Sequence, residues 1–171
     1  MALIVEDGTG KPDAESYCTV VFADAYHAGR ANSAWAALGT PAKEANLRIA
    51  TDFIESTYAG RWLGLRFSHE QALSWPRNYV QIADGPAVGD FMDVAPLPLS
   101  LQRACAELAG RAAAGALSTD VASTIKEKRL GPATFKYATY DRVQAAQSAA
   151  DRILFGLCLR SGFGQVFAER A

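Results

Sequence analysis

Apolar residues return every three or four positions in several stretches of the chain, and every second position in one. Thr19 is placed to cap a first helix from about Val20 to Gly29, where Val21, Phe22, Ala25 and Tyr26 share a face. Thr40-Pro41 predicts a second start: a capping threonine, then a proline whose missing N–H would be unbonded in the first turn anyway. That helix should run to about Tyr58, with Ala42, Ala45, Ile49 and Phe53 in its stripe and Gly60 as its stop. The clearest period lies between Pro98 and about Ala116, carried by Leu101, Ala104, Cys105, Leu108, Ala109 and Ala112. A last helix opens at Asp141, with Gln144 three places on, and extends to about Arg160. Its seam is Val143, Ala146, Ala150, Ile153 and Leu157, spaced three and four apart.

Between these helices the pattern changes. From Val121 to Ala138 the period is two, interrupted at Leu130-Gly131-Pro132, which predicts a β-hairpin. Val121, Ile125, Phe135 and Tyr137 fall on odd positions, and Lys126, Lys128 and Lys136 on even ones. That parity predicts one apolar face and one basic face. Ser68 and Gln71 have the spacing of a capping box and predict a short helix closed by Trp75-Pro76. Residues 78–96 read as a long loop. The expected fold is mainly α: a bundle of four to five helices with one β-hairpin insertion (about 121–138) before the C-terminal helix. The chain reads as one domain, 1–171, with an extended N-terminal arm (1–18) and a C-terminal tail (161–171).

Composition narrows the function classes. Alanine supplies 33 of 171 residues, which favours helices that approach closely. Seventeen Lys and Arg against 18 Asp and Glu leave a formal charge of -1, unlike a strongly basic nucleic-acid binder. No apolar run approaches the roughly 18 residues of a membrane span, so no membrane partner is expected. The start of the chain does not read as a secretory signal. Cys18, Cys105 and Cys158 are odd in number and far apart, which reads as reduced, mostly buried thiols.

The search for chemistry returns little. Gly8-Thr9-Gly10-Lys11 resembles the end of a phosphate loop, but it lacks the earlier glycine, and Pro12 stands where Ser or Thr should follow the lysine. A turn is the better reading. Asp84, Asp90 and Asp93 match no calcium-loop spacing. His27 and His69 stand alone and read as structural or solvated. No catalytic, cofactor-binding or metal residue is assigned, no cofactor is expected, and the chain does not read as an enzyme. Lys126, Lys128, Arg129 and Lys136 could meet phosphates or an acidic protein surface, or form an ordinary solvated face. Trp62, Phe67, Trp75 and Tyr79 could stack bases, although a structural cluster is the better expectation.

Several segments taken together resemble a known family. They are Met1 to Gly10 leading to Asp13-Ala14-Glu15-Ser16-Tyr17, the run Ala50 to Ile54, and Gln71-Ala72-Leu73-Ser74-Trp75-Pro76-Arg77. Arg103 to Ala109 and Lys126 to Pro132 extend the likeness. The pattern resembles the head–tail connector (adaptor) proteins of tailed phages, whose relatives are often labelled DnaT-like single-stranded-DNA-binding proteins. The resemblance implies a helical subunit of a homo-oligomeric ring, a dodecamer, beneath a portal protein. Such a ring sits in the virion neck after synthesis in the host cytoplasm. It meets a neck or tail completion protein and touches packaged DNA transiently. Under that reading Phe163, Phe167 and Arg170 would contact the portal or a neighbour, and the four hairpin cations a partner or DNA. The alternative is a DnaT-like replication accessory protein that binds single-stranded DNA.

Overall fold

The computed structural model describes residues 2–82, 85, 87, 89–117, 125–130, 133–138 and 145–158; for 125–130, 133–138 and 145–148 it describes the backbone. The elements are α1 (Val20–Ala28), α2 (Ser33–Ala36), α3 (Thr40–Tyr58), β1 (Leu65–Arg66), β2 (Arg77–Asn78), α4 (Leu99–Ala114), β3 (Ile125–Leu130), β4 (Ala133–Ala138) and α5 (Ala145–Leu154). A 3-10 turn, Phe155–Leu157, follows α5. The fold is mainly helical with a two-stranded antiparallel hairpin before the last helix, as the periodicity predicts.

α4 is the central helix. It packs against α1, α2, α3 and α5, because its small residues leave room on several sides. Leu101, Ala104, Cys105, Ala106, Leu108 and Ala109 are all buried. Leu47, Ala50, Ile54 and Tyr58 of α3 and Ala150 and Leu154 of α5 are buried in the same core. Each fully buried leucine or isoleucine contributes about 1.5–3 kcal/mol. Alanine contributes less by burial, but lets the helix backbones approach.

One predicted cap holds and one is shifted, while the Asp141 and Gln144 start lies outside the described residues. Thr19 caps α1 by accepting the Phe22 N–H at 3.0 Å. α3 begins one residue earlier than the threonine rule predicts: Gly39 is its cap and makes no side-chain bond, while Thr40 is already helical and Pro41 sits in the first turn. α3 ends at Tyr58, and Gly60 follows at φ +70°, a conformation glycine adopts without strain. α2 was not predicted. It is one turn long, too short for a period, and Asn32 caps it by accepting the Trp35 N–H at 3.1 Å.

The predicted helix from Ser68 to Trp75 is absent. The cap bonds themselves form: the Gln71 side chain accepts the Ser68 N–H at 2.7 Å, and Ser68 Oγ accepts the Glu70 N–H at 3.1 Å. Side chains then take the carbonyls that a helix would bond along its axis. Gln71 Nε2 donates to Leu73 O and Pro76 O, Arg66 to Gln71 O and Leu73 O, and Arg77 to Ser74 O. The segment reverses and passes through a cis Trp75–Pro76 bond. Arg77 also donates to Leu63 O and Gly64 O, tying β2 to the connector before β1. The Gln71 to Arg77 block of the family likeness is therefore a turn, bonded within itself and by Arg66.

α5 ends at Leu154, short of the expected Arg160. The chain beyond it pairs with the connector instead: Cys158 bridges Trp62, and Leu157 O accepts the Leu63 N–H. The N-terminal segment, expected as an extended arm, folds back on itself and packs onto the body. Val5 bridges Ser16, and Ala14, Tyr17 and Cys18 are buried in the core.

Candidate functional site

The phosphate-loop look-alike is occupied by the chain's own anion. Glu6 is buried, and its carboxylate accepts backbone N–H groups from Gly8 at 2.9 Å, Gly10 at 2.9 Å and Lys11 at 2.8 Å. Gly8 and Gly10 reach this geometry at φ +102° and +78°. Successive N–H groups of this kind form an anion-binding nest. Lys11 pairs with Asp7 at 2.8 Å and donates to Val5 O. Hydrogen bonds from Lys11 and Thr9 hold Asp7 down at about 2. A groove of about 430 Å³ runs beside the nest, lined by Leu3, Val5, Tyr17, Cys18, Leu97 and Gln102 among others.

The four aromatic stacking candidates divide two and two. Trp62 and Trp75 are buried and meet edge to face at 5.8 Å, so the structural reading holds for them. Phe67 and Tyr79 are exposed, Tyr79 to 69%. Tyr79 also holds φ +59°, which is strained for a side chain of this size. Phe91, 55% exposed, meets it edge to face at 6.4 Å. The sequence reading missed Phe91, because only the Gln81–Phe91 bridge across the long loop brings it to Tyr79. Of the loop aspartates, Asp84 lies outside the described residues, and no group of three metal-ligating side chains forms among those described.

Many cations of the helical body are engaged internally. Lys43 pairs with Asp24 at 2.9 Å, Arg48 with Glu15 at 2.8 Å and Arg111 with Glu107 at 3.0 Å. Asp24 lies below its ordinary value: burial pushes it up, but hydrogen bonds from Lys43 and Trp35 outweigh that push. Arg30 lies 3.5 Å from the Tyr26 ring, and Arg66 and Arg77 serve backbone carbonyls. A surface whose cations are held this way offers few of them to phosphates.

The hairpin corrects a sequence expectation. Lys126 stands opposite Tyr137, Glu127 opposite Lys136, Lys128 opposite Phe135 and Arg129 opposite Thr134. Directly opposed residues of an antiparallel pair share a face. Lys126 and Lys128 therefore share a face with Phe135 and Tyr137, while Arg129 and Lys136 share the other with Ile125 and Glu127. There is no all-apolar and all-basic division. Two residues separate the strands, so odd positions on β3 lie on the face of even positions on β4, and parity counted straight through the turn inverts on the second strand. Of the other predicted contacts, Phe163, Phe167 and Arg170 lie outside the described residues.

The three cysteines are free and buried. His69 is exposed, whereas His27 is buried between α1, α2 and α4. Among the described residues, no helix is long and apolar enough to cross a membrane.

Fold and strand register together define a mainly helical protein with a hairpin that sets Lys126 and Lys128 at positions on the face of Phe135 and Tyr137. The chain belongs to the family described as "Putative DnaT-like ssDNA binding protein", whose model matches residues 1–171. The DnaT-like half of the resemblance is thereby shown, while the match is not to a connector family. No curated protein and no solved structure matches the chain.

Proposed function

We propose that this protein binds single-stranded DNA through the β3–β4 hairpin, as a non-catalytic accessory protein. The observation that carries the reading is the strand register, which places Lys126 and Lys128 on one face with Phe135 and Tyr137. Single strands are bound by cations that follow the phosphates and by aromatic rings that stack the bases. The family description agrees with that composition, and the pairing of body cations leaves the hairpin as the favoured contact.

Fluorescence anisotropy with a labelled oligothymidine tests it. Each phosphate neutralised on a single strand contributes about -0.7 to the slope of log affinity against log salt. Replacing Lys126 and Lys128 together by Gln should reduce that slope by about 1.4. Tyr137→Ala should weaken binding by about 1–3 kcal/mol with the slope unchanged. Binding that both sets of variants leave intact would remove the hairpin from the reading.

A second reading, the ring-forming head–tail connector, is favoured by one observation. Leu65, Tyr79, Phe91 and Phe155 are exposed on a body whose cations are largely paired. Exposed apolar side chains of this kind suit lateral packing between subunits. In this reading the partners are a portal protein, a neck or tail completion protein and further copies of the chain, and residues 161–171 dock to the portal. Negative-stain imaging of the protein mixed with its portal would show a ring. Docking undiminished by deletion of 161–171 would exclude the tail assignment.

A further inference from the structure

His27 lies where three helices meet, and the hydrogen bonds around it determine one another. Ala106 O, on α4, can only accept, and it stands 2.9 Å from Nε2, so Nε2 carries the proton. In the neutral ring Nδ1 is then the acceptor, and Asn32 Nδ2, at 3.2 Å, donates to it. That orientation leaves Asn32 Oδ1 to accept the Trp35 N–H and cap α2. One amide thus serves the histidine with one end and the helix with the other.

We propose that His27 and Asn32 form a proton-sensitive helix cap, in which a proton arriving at His27 Nδ1 withdraws Asn32 from the start of α2. An imidazolium has a donor at both nitrogens. Nδ1–H would then face the Asn32 amide N–H groups, donor against donor. Turning the amide by half a revolution supplies Oδ1 to the ring, but points Nδ2 at the Trp35 N–H and loses the cap.

Among the described residues, the carboxylates near the ring already have other partners. On α1, Asp24 is engaged by Lys43 of α3 and by Trp35 Nε1 of α2. On α4, Glu107 accepts from Tyr26 and Arg111. Arg30, just past α1, is a like charge. The ring cannot swing clear, because it lies against Trp35 at 4.7 Å and against Gly110, where even a Cβ would come within 2.5 Å of Cε1. Burial holds the His27 pKa below its ordinary 6.5, in keeping with a ring kept neutral by this geometry.

NMR of the histidine Cε1–H signals tests the device on the full chain. The Trp35 backbone amide reports the cap. The wild type should show His27 titrating below the ordinary histidine value, with the Trp35 amide shifting at the His27 midpoint. Asn32→Asp still caps α2, and its carboxylate can accept from the imidazolium. It should raise the His27 midpoint by about one pH unit or more. Asn32→Ser keeps a cap but gives up the ring, so the Trp35 amide should stop following His27. A Trp35 amide indifferent to the His27 titration in the wild type would overturn the proposal, as would an Asn32→Asp variant with an unmoved midpoint. The wild-type measurement decides the matter even where a variant fails to fold.

Discussion

Glu6→Ala removes the anion around which the first loop is wound. Three backbone N–H groups, those of Gly8, Gly10 and Lys11, lose a charged acceptor at 2.8–2.9 Å. A hydrogen bond to a charged group contributes about 1.5–3 kcal/mol, and a buried donor left unpaired costs about 1–3 kcal/mol. The bond to Gly8 is buried and should carry that penalty, whereas the other two are part-buried. Water entering from the adjoining groove can serve those two. The expected loss is therefore about 2–4 kcal/mol rather than the sum of three full bonds. For a chain of this length that corresponds to a fall in Tm of roughly 5–15 °C. Urea unfolding followed by tryptophan fluorescence measures it. Glu6→Gln should fall between the wild type and Glu6→Ala, because one oxygen remains while an amide N–H group confronts a backbone donor. Formate should partly restore Glu6→Ala and leave the wild type unchanged, since a ligand stabilises only the state that binds it. A Glu6→Ala variant within about 0.5 kcal/mol of the wild type would refute the account of the loop as an internally filled nest.

Gly110→Ala reverses the usual propensity rule. On an exposed helix it would stabilise by about 1 kcal/mol. Here the new Cβ would lie 2.5 Å from His27 Cε1 and 3.0 Å from Nε2, and overpacking should leave a net loss of about 1–3 kcal/mol in urea unfolding; a gain would contradict the packing. Stability should also fall in two stages with acid. The folded protein depresses the His27 pKa, so that contribution is complete above about 6.5 and is lost as pH falls from there towards the folded value. Asp24 and Glu15, depressed by their paired cations, lose theirs only at lower pH, through the carboxylate range. Urea midpoints taken across this span should show His27→Gln abolishing the upper stage alone.

Where a single helix decides its own signal, the sequence reading agrees with the structure. Thr19 and the run from Leu101 to Ala109 lead to α1 and α4, because capping and a repeated apolar face act within a few residues. The β3–β4 pair is legible for the same reason. The candidate site was less legible. The sequence reading names its cations but sets Phe135 and Tyr137 on the opposite face, because the register across a two-residue connection determines which positions share a face. The Ser68–Gln71 box failed for a related reason: its local bonds form, yet Arg66 and Arg77, from outside the box, capture the carbonyls a helix needs. The equal look of Trp62, Phe67, Trp75 and Tyr79 in the sequence conceals two buried rings and two exposed ones.

The helical class, the Thr19 cap, the central alanine-rich helix and the presence of a hairpin are legible in the amino-acid sequence. Each rests on propensity and periodicity over a few neighbouring residues. Packing in three dimensions is what winds the glycine loop around Glu6, sets Gly110 against His27 and links a histidine to a helix cap through Asn32. Strand pairing likewise puts Lys126 and Lys128 on the face of Phe135 and Tyr137. These are relations between residues brought together by packing, turns and strand pairing, so no period along the chain could encode them.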